Sequence, residues 1–138
     1  MSEGKVLVID DDKNVRTLIK MALLHGGYEV VEAENGAKGM QLLLMDDNPS
    51  TVTLIVCDIH MPEVNGTEAI TYFRSHFPSL PVIIMTGQPE YGYVAQMLRR
   101  GVVDYLVKPI QSHILVDAVR RAVIRHAPKK ALRENQTP

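Results

Sequence analysis

The stretch LIVCD, residues 54–58, consists of four apolar residues followed by an aspartate, and residues 82–85, VIIM, have the same character. Strands that are apolar on both faces fit a parallel sheet covered by helices on both sides. Similar runs alternate with helix-length amphipathic segments along the chain. The runs predict five strands, at residues 5–10, 28–33, 52–58, 80–86 and 103–108. We therefore expect a doubly wound α/β domain built from five βα units.

Helix boundaries follow from capping and turn residues. Asp12 is placed to cap a first helix that begins at Lys13. Gly26-Gly27 ends that helix, Asn35-Gly36 opens the second, and Gly101 closes the fourth. Residues 46–50 are predicted to form a turn, and the last helix to run over about residues 112–126.

Composition limits the class of protein. The chain has 138 residues, 46% of them hydrophobic, with a formal net charge of -1 and one cysteine. This is typical of one folded domain, with no overall charge to attract nucleic acid and no disulfide framework. The opening MSEGK lacks the apolar stretch of a signal peptide, and we expect a cytoplasmic protein without membrane contact. We assign residues 1–127 to the domain and the polar residues 128–138 to a tail or linker.

Polar residues stand where the predicted strands end. Parallel strands bring their carboxyl ends to one edge of the sheet, where functional groups gather. Clustered carboxylates repel one another unless a cation neutralises them, and hard oxygen ligands suit Mg²⁺. A carboxylate can also attack phosphorus when charge on the transferring oxygens is offset by metal and donor groups. The residues concerned are Asp10, Asp11, Asp12, Asp58, Thr86 and Lys108, the last followed by Pro109.

Four motifs occur in order: VLVIDDD at residues 6–12, LIVCDIHMPEVNG at 54–66, VIIMTG at 82–87 and DYLVKP at 104–109. In these motifs the chain resembles the receiver domains of response regulators in two-component systems, a family that includes the single-domain chemotaxis switch protein. The resemblance covers about residues 5–126. It implies a flavodoxin-like (βα)5 fold with strand order 2-1-3-4-5.

The resemblance also implies roles for the residues at the predicted sheet edge. Asp58 is the expected phosphoacceptor, and Asp11 a direct Mg²⁺ ligand. Asp10 is expected to act through metal-bound water, and the backbone carbonyl of His60 to be a further ligand. Lys108 is expected to form an ion pair with Asp58 and later with the phosphoryl oxygens, and to precede a cis peptide bond.

The switch is implied in the same way. Thr86 is expected to hydrogen-bond the phosphoryl group and, by moving inward, to let Tyr105 turn from an exposed to a buried position. His60, Gly87 and Gln88 occupy positions that modulate the lifetime of the phosphoryl group. The expected partner surface consists of the fourth helix, fifth strand and fifth helix, about residues 89–125, and carries Arg99, Arg100, Arg120 and Arg121.

The implied function is a phosphorylation-activated switch that assists its own phosphorylation and dephosphorylation, and not a conventional enzyme. The phosphoryl donor is expected to be a sensor histidine kinase or a phosphotransfer protein. An output domain or target protein would read the altered surface, without direct nucleic-acid contact by this domain. The cognate partners are left open, as is phosphorylation-dependent homodimerisation.

Simpler interpretations compete for individual residues. Asp12 fits a helix cap, Cys57 a core position and Tyr105 a half-buried strand aromatic, while the arginines fit solvated helix faces. A zinc site lacks a second histidine or cysteine at ligand spacing near His60. A phosphatase of the haloacid-dehalogenase type would need an acid where His60 stands. A receiver relative that has lost phosphorylation usually lacks one of the site residues that this chain retains.

Overall fold

The structure is a computed structural model and describes residues 2–60 and 66–126. Residues 61–65 of the motif at 54–66, and the tail or linker predicted at 128–138, lie outside this range. The elements occur in the order β1 (Lys5–Ile9), α1 (Lys13–His25), β2 (Glu29–Ala33), α2 (Gly36–Leu43), α3 (Asn48–Thr51), β3 (Val52–Asp58), α4 (Gly66–His76), β4 (Val82–Thr86), α5 (Tyr91–Arg99), β5 (Asp104–Val107) and α6 (Ser112–Arg125).

The five strands form one parallel sheet in the order β2-β1-β3-β4-β5. The predicted fold class and strand order are therefore confirmed. β3 has the predicted bounds, whereas the other four strands are one to two residues shorter at one or both ends. Leu80 and Pro81, for example, precede β4 and do not belong to it.

Alternate strand residues supply two cores, one on each face of the sheet. In β3, Leu54 and Val56 pack with α1 and α6, whereas Ile55 and Cys57 pack on the opposite face with α2, α4 and α5. All four side chains are fully buried, which explains why the strand reads as a continuous apolar run. The predicted core position of Cys57 is confirmed.

The helix ends agree with the capping signals in the sequence. The Asp12 carboxylate accepts hydrogen bonds from the backbone N–H groups of Asn14 and Val15, which confirms it as the cap of α1. Asn35 caps α2 through the N–H of Lys38. Gly101 has a positive φ of 102° after α5, a conformation that favours glycine.

The turn predicted at residues 46–50 is wrong in part, because the short helix α3 begins at Asn48. Asp, Asn, Pro and Ser are turn formers, but Pro49 also suits the first turn of a helix. The buried Asn48 side chain donates to the carbonyl of Leu42 at 2.7 Å and so ties α3 to the end of α2. The prediction from the sequence did not count α3 as a helix. The helices that it numbered fourth and fifth are therefore α5 and α6 of the structure.

None of the helices within residues 2–60 and 66–126 is both long and apolar enough to span a bilayer. The helices pack against the sheet, and their exposed faces carry most of the charged residues.

Two helical glycines give a test of this packing. A Cβ at Gly39 in α2 would lie 2.5 Å from Ile9 Cδ1 in β1, whereas a Cβ at Gly92 in α5 would meet no atom within 4 Å. We expect Gly39→Ala to lower the free energy of unfolding by about 1–3 kcal/mol through overpacking. Gly92→Ala, the matched control, should raise it by about 0.5–1 kcal/mol because alanine favours the helix.

Urea unfolding followed by circular dichroism measures both changes. Equal effects of the two substitutions would contradict the close approach of α2 to β1.

Candidate functional site

The carboxyl ends of the strands bring the polar residues of the sequence motifs together. Asp10 directly follows β1, Asp58 ends β3 and Thr86 ends β4, and all three side chains are buried. Lys108 directly follows β5 and is partly exposed, and Asp11 is exposed. Residues far apart in the chain therefore share one small region at the edge of the sheet.

The Lys108 ammonium links two of the carboxylates. Lys108 Nζ lies 2.7 Å from Asp10 Oδ2 and 3.1 Å from Asp58 Oδ2. The second contact is also a hydrogen bond. Asp10 Oδ2 is in ion-pair contact with Lys108 Nζ and meets no other donor among the described residues. This buried oxygen can therefore take a further cationic partner.

Backbone N–H groups fix the other carboxylate oxygens. The N–H of Asp12 donates to Asp10 Oδ1 at 2.9 Å, and the N–H of His60 donates to Asp58 Oδ1 at 3.0 Å. Each carboxylate therefore has one oxygen bonded to the backbone N–H two residues further along the chain, which orients its plane. The second oxygen of each carboxylate faces Lys108.

Burial and neighbouring charges shift two pKa values. Burial raises the pKa of Asp10 above its ordinary value, and the proximity of the Asp58 carboxylate acts in the same direction. The contacts with Lys108 and the Asp12 N–H offset this increase only in part. Burial opposes the charge of Lys108, but its contacts with Asp10 and Asp58 prevail and raise its pKa. Lys108 therefore remains a cation at neutral pH.

Asp10, Asp11 and Asp58 fit a divalent cation. Each offers one oxygen, and these oxygens lie within 4.8 Å of one another. Ligands on opposite sides of one Mg²⁺ are separated by about 4.2 Å, so small adjustments complete such a site. Three carboxylates against one ammonium also leave a formal charge that a divalent ion balances. This group contains no histidine or cysteine, so the described residues give no support to the zinc alternative.

Thr86 is joined to the same site through its backbone and its hydroxyl. Its carbonyl accepts the N–H of Lys108 at 2.8 Å, and its Oγ1 accepts the N–H of Gln88 at 3.1 Å. The hydroxyl hydrogen remains available for donation. The Lys108-Pro109 bond is cis, as predicted.

The positions expected to modulate the site are exposed. The side chains of His60 and Gln88 lie at the surface, and no atom lies within 4 Å of a Cβ built on Gly87. The first two contribute backbone N–H groups to Asp58 and Thr86. Each of these two residues therefore combines an exposed side chain with a backbone contact to the site.

Tyr105 is half-buried and packs against the core on the α2, α4 and α5 side. In the β4–β5 register it pairs with Ile84, two residues before Thr86. Two of the predicted surface arginines form exposed ion pairs, Arg120 with Asp117 at 3.8 Å and Arg121 with Asp104 at 3.6 Å. Arg121 thereby links α6 to β5.

Arg16 is a contributor that the sequence motifs did not indicate. Its Nη1 donates to the carbonyl of Asp10 at 2.8 Å, and its Nε lies 3.4 Å from Glu32 Oε1. Lys20 also contacts Glu32, at 3.4 Å. Arg16 therefore braces the backbone of Asp10 from α1 and joins it to β2. Arg16 and Lys20 are four residues apart and so lie on one helical face, which the sequence alone indicates. The sequence does not indicate that both contact Glu32.

Comparisons with known proteins agree with this geometry. The family model described as the response regulator receiver domain matches residues 6–120. The chain is 35% identical over 119 residues to the chemotaxis protein CheY of Listeria monocytogenes, covering 86% of this chain and 97% of that protein. It is 36% identical over 130 residues to the regulatory protein AtoC of Escherichia coli, covering 94% of this chain but only 27% of AtoC.

The chain thus spans about a quarter of the length of AtoC. A solved structure of a response regulator receiver domain protein from Clostridium thermocellum superimposes with a TM-score of 0.83 at 29% identity, covering 94% of this chain and 98% of the other. The family model covers most of the chain, and both sequence and structure relate it to the same group. The chain therefore belongs to the receiver-domain family of response regulators.

Proposed function

We propose that the chain is a phosphorylation-activated signalling switch whose acceptor is Asp58 and whose reaction depends on Mg²⁺. The observation that carries this proposal is the buried Asp58 carboxylate, held by the Lys108 ammonium on one oxygen and the His60 N–H on the other. Asp10 and Asp11 lie beside it within reach of a shared cation. A sensor histidine kinase or a phosphotransfer protein is the proposed donor.

In the proposed reaction, one Asp58 carboxylate oxygen bonds to phosphorus while the bond from phosphorus to the donor histidine nitrogen breaks. The electron pair of that bond stays on the imidazole. Mg²⁺, held by Asp11, by Asp58 and by Asp10 through water, would offset charge on the transferring phosphoryl oxygens. The backbone carbonyl of His60 is proposed as a further ligand.

Lys108 and Thr86 are proposed to stabilise the product. Once Asp58 carries a phosphoryl group, its carboxylate charge is replaced by that of the phosphoryl oxygens. Lys108 Nζ, already 3.1 Å from Asp58 Oδ2, can turn to these oxygens, and the free hydroxyl hydrogen of Thr86 can be donated to one of them. His60, Gly87 and Gln88 would govern how easily water reaches the acyl phosphate.

The readout is proposed to occur on α5, β5 and α6. Thr86 and Lys108 are bonded through their backbones, and Tyr105 lies on the strand that Lys108 follows. Val107 and Ile114 are exposed large apolar residues on this face, which also contains a groove of about 490 Å³ lined in part by Tyr105 and Arg121. An output domain or target protein would bind here, and rotation of Tyr105 would alter the surface that it meets.

The first test is intact mass spectrometry after incubation with a small acyl-phosphate donor. We expect wild type to gain one phosphoryl group in Mg²⁺ and none in excess chelator, because the transferring oxygens then lack their counter-charge. Asp58→Asn should gain none in either condition. Asp12→Asn is the matched control, since Asp12 caps α1 and asparagine caps equally well.

Wild type that binds Mg²⁺ but gains no phosphoryl group would instead support a receiver relative that has lost phosphorylation. A gain that persists in Asp58→Asn would place the acceptor at another residue.

A second test addresses the cation site alone. Mg²⁺ at 100 times its Kd should add about 2.7 kcal/mol to the stability of wild type, because the ion binds the folded chain. Asp11→Asn should lose most of this increase, whereas Asp12→Asn should keep it. Differential scanning calorimetry with and without Mg²⁺ measures the change in Tm for each protein, and equal changes in the two variants would remove Asp11 from the proposed ligands.

A further inference from the structure

Both peptide groups of Asp10 are tied to the neighbouring strand β2. The N–H of Asp10 donates to the carbonyl of Ala33 at 3.1 Å. The carbonyl of Asp10 accepts from Arg16 Nη1 at 2.8 Å, and Arg16 Nε lies 3.4 Å from Glu32 Oε1. Glu32 and Ala33 are consecutive residues of β2, which pairs with β1. The backbone of Asp10 is therefore held on both sides, once directly and once through Arg16.

The position of Arg16 in α1 directs its side chain toward this carbonyl. The backbone N–H of Arg16 donates to the carbonyl of the N-cap residue Asp12 at 3.0 Å, so Arg16 lies one turn into the helix. Helical side chains slope back toward the N-terminus of the helix, which here is the end nearest to Asp10. The planar guanidinium presents its N–H groups as a fork and so contacts the carbonyl and Glu32 at the same time.

The contact with the Asp10 carbonyl also bears on Asp11. The carbonyl of Asp10 and the N–H of Asp11 belong to one planar peptide unit. A fixed carbonyl therefore fixes the plane from which the Asp11 side chain extends. Asp11 is exposed, and within the described part of the chain its carboxylate forms no hydrogen bond or ion pair. The direction of this carboxylate thus depends on the backbone that Arg16 holds.

The charge of Arg16 alone would have the opposite effect on a bound cation. A positive group near a cation site repels the cation, so its removal should strengthen binding. The charge of Arg16 is offset by Glu32, whose other oxygen lies 3.4 Å from Lys20 Nζ. A positioning role predicts instead that loss of Arg16 weakens binding. The two effects therefore differ in sign.

We propose that Arg16, held by Glu32, is a positioning residue for the proposed cation site, because it fixes the peptide unit that joins Asp10 to Asp11. This inference rests on the proposed function, which takes these two aspartates to hold Mg²⁺. Removal of a partner that orients metal ligands typically weakens metal binding by about 10- to 100-fold. Arg16 therefore contributes to how tightly the site holds the ion.

The first measurement is the Kd of Mg²⁺ for the metal-free protein, determined by isothermal titration calorimetry. Arg16→Met removes the charge and both donors but keeps an unbranched side chain. We expect its Kd to be about 10- to 100-fold higher than that of wild type. Arg16→Lys keeps the charge and one donor nitrogen but lacks the forked group, and its Kd should lie between those of wild type and Arg16→Met.

Lys20→Met is the matched control. Lys20 carries the same charge on the same helical face, and its ammonium contacts Glu32 and not the backbone of Asp10. Loss of this charge should leave the Kd of Mg²⁺ unchanged. Glu32→Gln should raise the Kd in the wild-type background but not in Arg16→Met, because Glu32 acts through Arg16.

A spectroscopic readout on the metal-free protein separates positioning from stability. The amide resonance of Asp11 in a two-dimensional NMR spectrum reports on the hydrogen bond to the carbonyl of the same peptide unit. We expect Arg16→Met to shift this resonance and Lys20→Met to leave it in place. A contact that only stabilises the fold would lower Tm equally with and without Mg²⁺ and would leave the Kd unchanged.

A Kd in Arg16→Met equal to or lower than that of wild type would overturn the positioning role and leave the proposed function intact. An equal increase in Lys20→Met would also overturn it, because Lys20 does not contact the Asp10 backbone. If circular dichroism shows that Arg16→Met does not fold, Arg16→Lys and Glu32→Gln decide, and wild-type affinity in both contradicts the proposal. Wild type that binds no Mg²⁺ would overturn the Mg²⁺ dependence of the proposed function, and the role of Arg16 with it.

Discussion

The Lys108 ammonium group stands between two carboxylates that are almost inaccessible to water, 2.7 Å from Asp10 and 3.1 Å from Asp58. Buried carboxylates at this spacing repel each other, and taking them out of water without a cation is costly. In the strand order β2-β1-β3-β4-β5, Lys108 extends from the edge strand across β4 to the ends of β3 and β1. One cation therefore joins the edge of the sheet to its centre and offsets the charge of both buried carboxylates.

Much of this arrangement could be predicted from the sequence. The apolar run at residues 54–57 can be buried on both faces only in a covered parallel sheet, and burial of all four side chains agrees with that requirement. In such a sheet Asp10, Asp58, Thr86 and Lys108 share one edge, because each stands at the carboxyl end of a strand. Local rules also sufficed for the caps Asp12 and Asn35, whose side chains bond to backbone groups a few residues away.

Features that depend on contacts across elements were not predictable in the same way. The pairing of Arg16 with the Asp10 carbonyl and Glu32 depends on how α1 lies against β2. The contact between the hydroxyl groups of Thr67 and Tyr93 depends on the relative position of α4 and α5. Periodicity shows which helical face is buried, but it does not give the rotation of one helix relative to another. The turn-forming composition of residues 46–50 is also compatible with the short helix α3. That helix is tied to the end of α2 by the hydrogen bond from the buried Asn48 side chain to the Leu42 carbonyl, a contact that composition does not reveal.

The distance along the chain between the site residues has a consequence for protein synthesis. Asp10 belongs to the first strand, whereas Lys108 follows the last one. During translation Asp58 emerges from the ribosome long before Lys108, the lysine that neutralises it, and no earlier portion of the chain contains all of these residues. A nascent or prematurely terminated chain therefore lacks the complete Asp10–Lys108–Asp58 cluster, which forms only when the whole sheet has closed.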